Sequence, residues 1–414
     1  MQQVLGITAT AEQSIRFVEM YEHLHRHPEL SMQEHQTAAF IREQLARIGA
    51  EVINCSETGV VGILRNGDGP TIGFRADIDG LPMKEETALP YASEAVALTG
   101  EGASVPVMHG CGHDSHIACA LGAAELMADH PEHWKGTIVL IFQPGEEIAA
   151  GAARMVDAGL WNLAPQPQVI LAQHLAPIPA GTVESRPGPV TSLADSLEVT
   201  VRGKGAHGSQ PSSAIDPIVI AAFTIVRLQT VVARGTSPLD PVVVTVGTIH
   251  AGLKENIIPS EATFTINIRT PDETVRSHVL EQIRRIISAE AAAGGAPEPD
   301  VVELYKFPRC YNDPQEFAAV NRSLAAVLGD DNVMTDRARS MGSEDFGWLG
   351  DSIEVPTVFW WYGAYARERM ADGAPGNHSP HFAPDAQEST EHGIRSALAA
   401  ILGYVGNTDK ASER

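Results

Sequence analysis

Apolar positions recur at helical spacing from the start of the chain. Thr10 to Gln13 forms a capping box, and Ile15, Val18, Tyr21 and Leu24 follow on one face. Ser31 to Glu34 has the same form. It predicts a helix with Thr37, Phe40, Ile41, Leu45 and Ile48 inward and Gly49 as its C-terminal cap. Short apolar runs then alternate with helical segments. Gly59–Leu64, Thr71–Phe74, Gly136–Phe142 and Val169–Ala172 read as strands, His113–Ala128 and Ala149–Ala158 as helices. Strands alternating with helices imply an α/β sheet with helices on both faces.

Near Pro187 the pattern changes. Leu197–Arg202 alternates in polarity as a strand does, and Asp216-Pro217 opens a long helix ending near Arg234. Val242–Ile249 and Ala262–Arg269 read as two further strands. Thr270-Pro271-Asp272-Glu273 combines a capping box with an N-terminal proline and opens a helix through Ile287, and Val301–Tyr305 is a last strand. The order β-α-β-β-α-β predicts a ferredoxin-like unit of about 120 residues inserted into the α/β domain. The expected division is 188–308 for the insertion, with 1–187 and 309–414 forming the main domain. The α/β pattern resumes with a strand at Thr357–Trp361 and a helix near Glu391–Tyr404, and the polar tail Asn407–Arg414 is expected to fray.

Charge and composition narrow the function. A net charge of -23 argues against nucleic acid or an anionic membrane as partner, since both need a basic surface. No window of about 18 apolar residues stands out, so no membrane span is expected, and residues 1–10 lack the basic-then-apolar pattern of a signal peptide. Four cysteines are too few for a disulfide framework in 414 residues, which fits a reducing, cytoplasmic setting.

The chemistry concentrates in a few places. His109-Gly110-Cys111-Gly112-His113-Asp114-Ser115-His116 puts three histidines, a cysteine and an aspartate within eight positions. Thiolate and imidazole suit zinc, and also nickel, cobalt or manganese with helping carboxylates. The plainer alternative is a helix N-terminus capped by Asp114 beside a buried cysteine. Gln143-Pro144-Gly145-Glu146-Glu147 follows a strand directly, where sheet enzymes place their chemistry. Two adjacent carboxylates there repel unless a cation intervenes or one is protonated. A division of labour, one as metal ligand and one as base, resolves the conflict; a solvated turn leading into the next helix is the alternative. His174, at the expected end of a strand, and His378 or His381 in the Asn377–Phe382 loop are further candidate ligands. Asp77 and Asp79 could orient a ligand histidine, and Gly342–Phe346 is a polar turn that could wall a site.

Taken in order, these motifs resemble the M20 metallopeptidase and aminoacylase family, most closely the branch of N-acyl-amino-acid amidohydrolases and hippurate hydrolases. The resemblance runs from His25–Glu29 to the last helix through Arg75–Asp79, Met108–His113, Gln143–Glu147, Gly203–Gly208, Asn256–Pro259 and Gly342–Phe346. It implies two divalent metal ions held by Cys111, His113, Glu147, His174 and His378, with Glu146 as general base. His378 rather than His381 matches the family's His-Ser-Pro pattern. Asp77 stands where other branches carry a ligand histidine, and Ile148 where relatives carry glycine. The inserted domain resembles the family's lid, which also forms the homodimer interface. His207 resembles the residue that stabilises the oxyanion across the dimer. Asn256 and Arg269, 13 positions apart, resemble a clamp on the carboxylate of an N-acyl amino acid. A dipeptidase, carboxypeptidase or desuccinylase is the rival within metalloenzymes. A non-catalytic metal-binding protein is disfavoured by the presence of Glu146, and a Cys111 nucleophile by leaving Glu146, Glu147 and His378 without roles.

Overall fold

The structure is a computed structural model that describes residues 3–371 and 373–407. From residue 408 the tail lies outside the described residues. Asn407 itself is tied down: its backbone and side chain donate to the carbonyls of His133 (3.0 Å) and Glu132 (2.7 Å).

The first helix, Ala11–Arg26, carries the expected capping box: Thr10 Oγ1 accepts from the Gln13 amide and Gln13 Oε1 from that of Thr10, an arrangement worth about 1 kcal/mol. Its buried face is Gln13, Phe17, Met20, Tyr21 and Leu24, and Ile15 faces solvent. Gln13 sets that rotation, because its amide donates to Glu125 (3.1 Å) and Asp129 (2.8 Å) of the helix His113–Asp129. The second predicted box does not cap. The helix is His35–Arg47, and the carboxylate of Glu29 accepts from the amides of Gln36 (3.1 Å) and Thr37 (2.8 Å) instead. Ser31 and Glu34 are engaged elsewhere, described below.

The chain divides into two compact units. One runs through Val190, resumes at Tyr311–Arg339 and again from Asp345; the other is Thr191–Cys310 with Ser340–Glu344. The second unit starts three residues after the expected 188 and its main segment ends two after the expected 308, and Gly188–Pro189 pairs with Tyr311–Asn312 in the first unit.

The first unit is built on an eight-stranded sheet. Its four central strands, in the order Gly136–Gln143, Thr71–Asp77, Ile170–Pro179 and Thr357–Tyr365, are parallel. Consecutive residues on three of these strands are buried almost without exception, and on Ile170–Pro179 from Ile170 to Gln173, so both faces are covered. The helices Ala11–Arg26, His113–Asp129 and Ala386–Val405 share one core with Phe74, Leu140, Leu171 and Trp360 of the strands. The helix Pro314–Leu328, capped by Asp313, is an element the periodicity reading does not include.

The second unit is an antiparallel sheet in the order Val243–Ala251, Glu261–Thr270, Leu193–Arg202, Asp300–Phe307, with the helices Pro217–Gly235 and Glu273–Ala293. This is the predicted βαββαβ arrangement, with a small ribbon of Ala206–His207 and Ile257–Ile258 added. The second helix is capped by Asp272, which accepts from the Val275 amide (2.9 Å), rather than by Thr270. Contrary to the sequence expectation, Pro217–Gly235 is long and apolar enough to cross a membrane. One face of it is accounted for: Ile220, Ala221, Leu228 and Val231 join the sheet's core, while Ile218, Val219, Phe223 and Val226 are exposed.

Candidate metal centre

The site stands at the carboxyl ends of the central parallel strands. Asp77 ends one strand and Asp79 follows it, Glu146 and Glu147 follow the next, and His378 lies in the loop after a third. His174 is not at a strand end as predicted but midway along Ile170–Pro179, because that strand continues in register with Thr357–Tyr365 (Trp361 opposite His174). Its pairing with the shorter strand Thr71–Asp77 stops at Arg75–Ala172, so His174 lies at the level where that strand ends. Cys111 and His113 come from the glycine-rich approach to the helix His113–Asp129. Gly112 turns it with φ +93°, and a Cβ there would meet Leu175 at 2.9 Å. The Asn377 side chain holds the last loop by donating to the carbonyls of Cys111 (2.8 Å) and Leu175 (3.1 Å), and the His378 amide donates to Gly110 (2.7 Å).

These elements bring the candidate ligand atoms together. Cys111, His113 and His174 present donor atoms within 4.8 Å of one another; so do Cys111, Glu147 and His378, and so do His113, Glu146 and Glu147. Cys111 belongs to the first two groups. Cys111 Sγ lies 3.5 Å from His174 Nε2, and Glu147 Oε1 lies 3.3 Å from His378 Nε2 and 4.0 Å from His113 Nε2. His113 Nε2 and Glu147 Oε1 are buried without a hydrogen-bond partner. Leaving such groups unsatisfied costs free energy, and a divalent cation satisfies both. The donor set therefore fits metal ions. His381 is turned aside, its Nδ1 on the Glu86 carbonyl (2.9 Å).

The electrostatics agree with a cation site. Burial opposes charging of His113, yet Asp77, Cys111 and Asp79 outweigh it and hold the ring well above the ordinary histidine range. The neighbouring Cys111 thiol and Glu147 carboxylate raise His378 to about 10, while burial and then Glu147 push the Cys111 thiol up. Protons and cation compete for these atoms, so metal affinity falls as pH falls. His174 is held well below the usual range by burial and by His116, leaving a neutral ring suited to ligation.

The supporting groups were only partly legible in sequence. His113 Nδ1 is fixed by the Asp79 carbonyl (2.9 Å) and lies 3.2 Å from Asp79 Oδ1, leaving Nε2 for the site. Asp77 hydrogen-bonds His116, whose Nε2 accepts from the Leu175 amide (2.7 Å) beside His174. Both ring nitrogens of His116 are thus engaged, which makes it a positioning residue; its signal is the i+3 spacing from His113. Buried Arg75 donates to Asp77 (2.6 Å), Gln143 (2.9 Å) and Asp345 (3.2 Å), so the Gly342–Phe346 motif supplies a strut beneath the site. Ile148 is exposed next to Glu147.

His207, Asn256 and Arg269 belong to the second unit. His207 is exposed in the ribbon, its Nδ1 bonded to Ser209 Oγ (2.7 Å), and Asn256 is tied to it through the Gly208 amide (2.8 Å). That ribbon leads into the Glu261 end of the strand Glu261–Thr270. Arg269 is at the other end, eight residues on, about 26 Å along a strand. There it donates to the Met341 carbonyl (2.6 Å) and Ser343 Oγ (3.2 Å). Within one chain, Asn256 therefore lies beside the ribbon that carries His207, a strand's length from Arg269.

A cation site of thiolate, imidazole and carboxylate, with a second carboxylate at its edge and a parallel sheet beneath, defines a metallohydrolase. Residues 73–402 match the model of peptidase family M20/M25/M40. The chain is 36% identical over 391 residues to N-acetylcysteine deacetylase of Bacillus subtilis, covering 94% of this chain and 96% of that protein. It is 32% identical to thermostable carboxypeptidase 1 of Saccharolobus solfataricus, covering 93% and 94%. A solved dinuclear metal binding peptidase of the M20 family from Bacillus subtilis matches with a TM-score of 0.76 at 32% identity, covering 95% of this chain and 99% of that one. The chain belongs to peptidase family M20, and it is a metal-dependent amidohydrolase.

Proposed function

We propose that this protein hydrolyses N-acyl amino acids to a carboxylic acid and a free amino acid, with Glu146 as general base and then general acid. The observation that carries this reading is Glu146 itself: 6% exposed and clustered with Glu147 and His113 at the end of a parallel strand. Cys111, His113, Glu147, His174 and His378 would hold two divalent ions per subunit, and zinc, manganese, cobalt or nickel would each suit that set. Such ions supply Lewis acidity and lower the pKa of water toward neutrality. Glu146 takes the proton of the attacking water and returns it to the leaving nitrogen. Hydrolysis of a panel of N-acetyl, N-benzoyl and longer N-acyl amino acids by metal-reconstituted protein tests the reading; turnover of dipeptides alone would transfer it to the peptidase alternative, which the carboxypeptidase relative also favours.

His207 and Asn256 stand at one end of the lid unit and Arg269 at the other, so we assign them to different sites of a homodimer. His207 donates to the developing oxyanion of the partner's substrate with Asn256 beside it, and Arg269 clamps a substrate carboxylate. Exposed Ile218, Val219, Phe223 and Val226 on the helix and Val243 and Ile249 on the edge strand supply apolar surface for that association. The four cysteines are buried thiols, which supports a cytoplasmic setting.

Two expected outcomes bear on single residues. Cys111→Ser should weaken metal affinity about tenfold or more, because a neutral hydroxyl replaces a thiolate. Metal analysis after dialysis checks it, and full occupancy with full activity would remove Cys111 from the ligand set. Arg269→Lys should lower kcat/KM about tenfold for N-acyl amino acids, the cost of one charge-assisted hydrogen bond, since lysine keeps the charge but loses the planar fork. The matching N-acyl amino amides, which lack the carboxylate, should be unaffected. Equal losses on both substrates would rule out the clamp.

A further inference from the structure

The Ser31–Glu34 loop has the sequence of a helix cap and does none of a cap's work. Its polar groups are spent on the turn that carries Glu146. Glu34, fully buried, accepts on Oε1 from the Gly145 amide (2.9 Å) and the Met32 amide (2.8 Å), and on Oε2 from Thr58 Oγ1 (2.6 Å). On the other side of Glu146, the Glu147 amide donates to Asp79 Oδ2 (3.1 Å), which also accepts from Ser31 Oγ (2.6 Å). The backbone amides of the residues on either side of Glu146 are thus each anchored to a buried carboxylate, and both carboxylates are bonded by the same loop.

The backbone is shaped for this contact. Gly145 has φ +57°, and a Cβ there would come within 2.6 Å of Met32 Sδ. Met32 itself has φ +63°, a conformation a non-glycine residue adopts only at a cost that its surroundings must offset. The offset is visible: the Met32 amide is bound by Glu34, and its side chain covers Gly145. Capping of the helix His35–Arg47 has passed to Glu29, which leaves Glu34 for the turn.

We propose that Glu34 is the positioning residue of the general base, acting as a hydrogen-bond acceptor on the Gly145 amide, with Ser31 and Asp79 holding the opposite flank; this rests on Glu146 being that base. A base must be held within a fraction of an ångström of its working position, and a loose supporting shell lowers kcat with little change in substrate binding. The claim concerns an acceptor and not a charge. Glutamine at 34 keeps one oxygen for the Gly145 and Met32 amides and turns its NH2 to the Thr58 hydroxyl, which can accept. Alanine keeps neither.

The experiment compares Glu34→Ala and Glu34→Gln in the metal-loaded full-length enzyme. Glu34→Ala should lower kcat about tenfold or more, with KM within about twofold and metal content unchanged, and speed amide exchange across residues 143–149. Glu34→Gln should restore kcat to within about threefold of the parent. Should Glu34→Ala fail to fold, Ser31→Ala tests the opposite flank and should lower kcat about threefold or more at unchanged metal content. Parent-level kcat in the alanine variant that folds, loss of metal in step with activity, or a glutamine variant as impaired as the alanine would each overturn the proposal. Glu146→Gln run alongside separates the two readings: if it turns over substrate, the base assignment is what fails; if it is dead while Glu34→Ala is unimpaired, only the positioning claim fails.

Discussion

Glu146→Gln should lower kcat by about three orders of magnitude while the protein keeps its full metal content. The amide matches the carboxylate in size, so the turn Pro144–Ala150 can keep its shape. What is lost is the ability to take a proton from water and deliver it to the leaving nitrogen. Glu147→Gln is the informative contrast. Its Oε1 lies among Cys111, His113 and His378 donors, so its loss should appear first as lost metal. Metal analysis of both variants, with kcat measured at saturating metal, checks the pair. If Glu146→Gln loses metal in proportion to activity while Glu147→Gln keeps it, the two glutamates have exchanged roles.

Mixing two inactive variants should restore activity. His207→Ala lacks the oxyanion donor but has its base and ligands; Glu146→Gln lacks the base but has its His207. In a heterodimer where each lid serves the partner's site, one site carries both defects and the other carries neither. Each heterodimer should then show about half the activity of a normal dimer. Subunits must be co-expressed or exchanged first, because a tight interface would conceal the effect. Asn256→Ala in place of His207→Ala should complement in the same way, since the two residues share one ribbon at the far end of the lid strand from Arg269. Arg269→Ala paired with His207→Ala should also recover activity if the two residues serve different sites. A heterodimer confirmed by mass and still inactive would place His207 within its own subunit's site, and a stable monomer on size exclusion would remove the premise.

Much of the molecule was legible in the order of residues. Strand–helix alternation and the change of pattern near Pro187 led to an α/β sheet with helices on both faces and an inserted βαββαβ unit because both signals are local, set by the spacing of apolar side chains. The density of donor types between His109 and His116, and two carboxylates straight after a strand, pointed to metal for the same reason: like charges and metal-ligating side chains crowded together call for a cation. Helix faces and caps were less secure. Ile15 faces water because Gln13 is held by Glu125 and Asp129, more than a hundred residues away. Asp272 took a cap from Thr270, and Glu29 one from Ser31, because side chains compete for the same amides and sequence spacing alone does not rank them.

By itself, the sequence determined which side chains were available: Cys111, His113, Glu146, Glu147, His174 and His378 were all nameable from motif and spacing. Only the tertiary structure decided how they combine. It made Cys111 common to two donor groups, turned His381 away, and set His174 mid-strand at the level where its shorter neighbour ends. It also parted Asn256 from Arg269 by the length of a strand and assigned Ser31 and Glu34 to the turn that carries the base. The physical reason is that a donor's role depends on which atoms lie within about 4 Å of it, and the strand register and loop closures that set those distances are long-range properties of the fold.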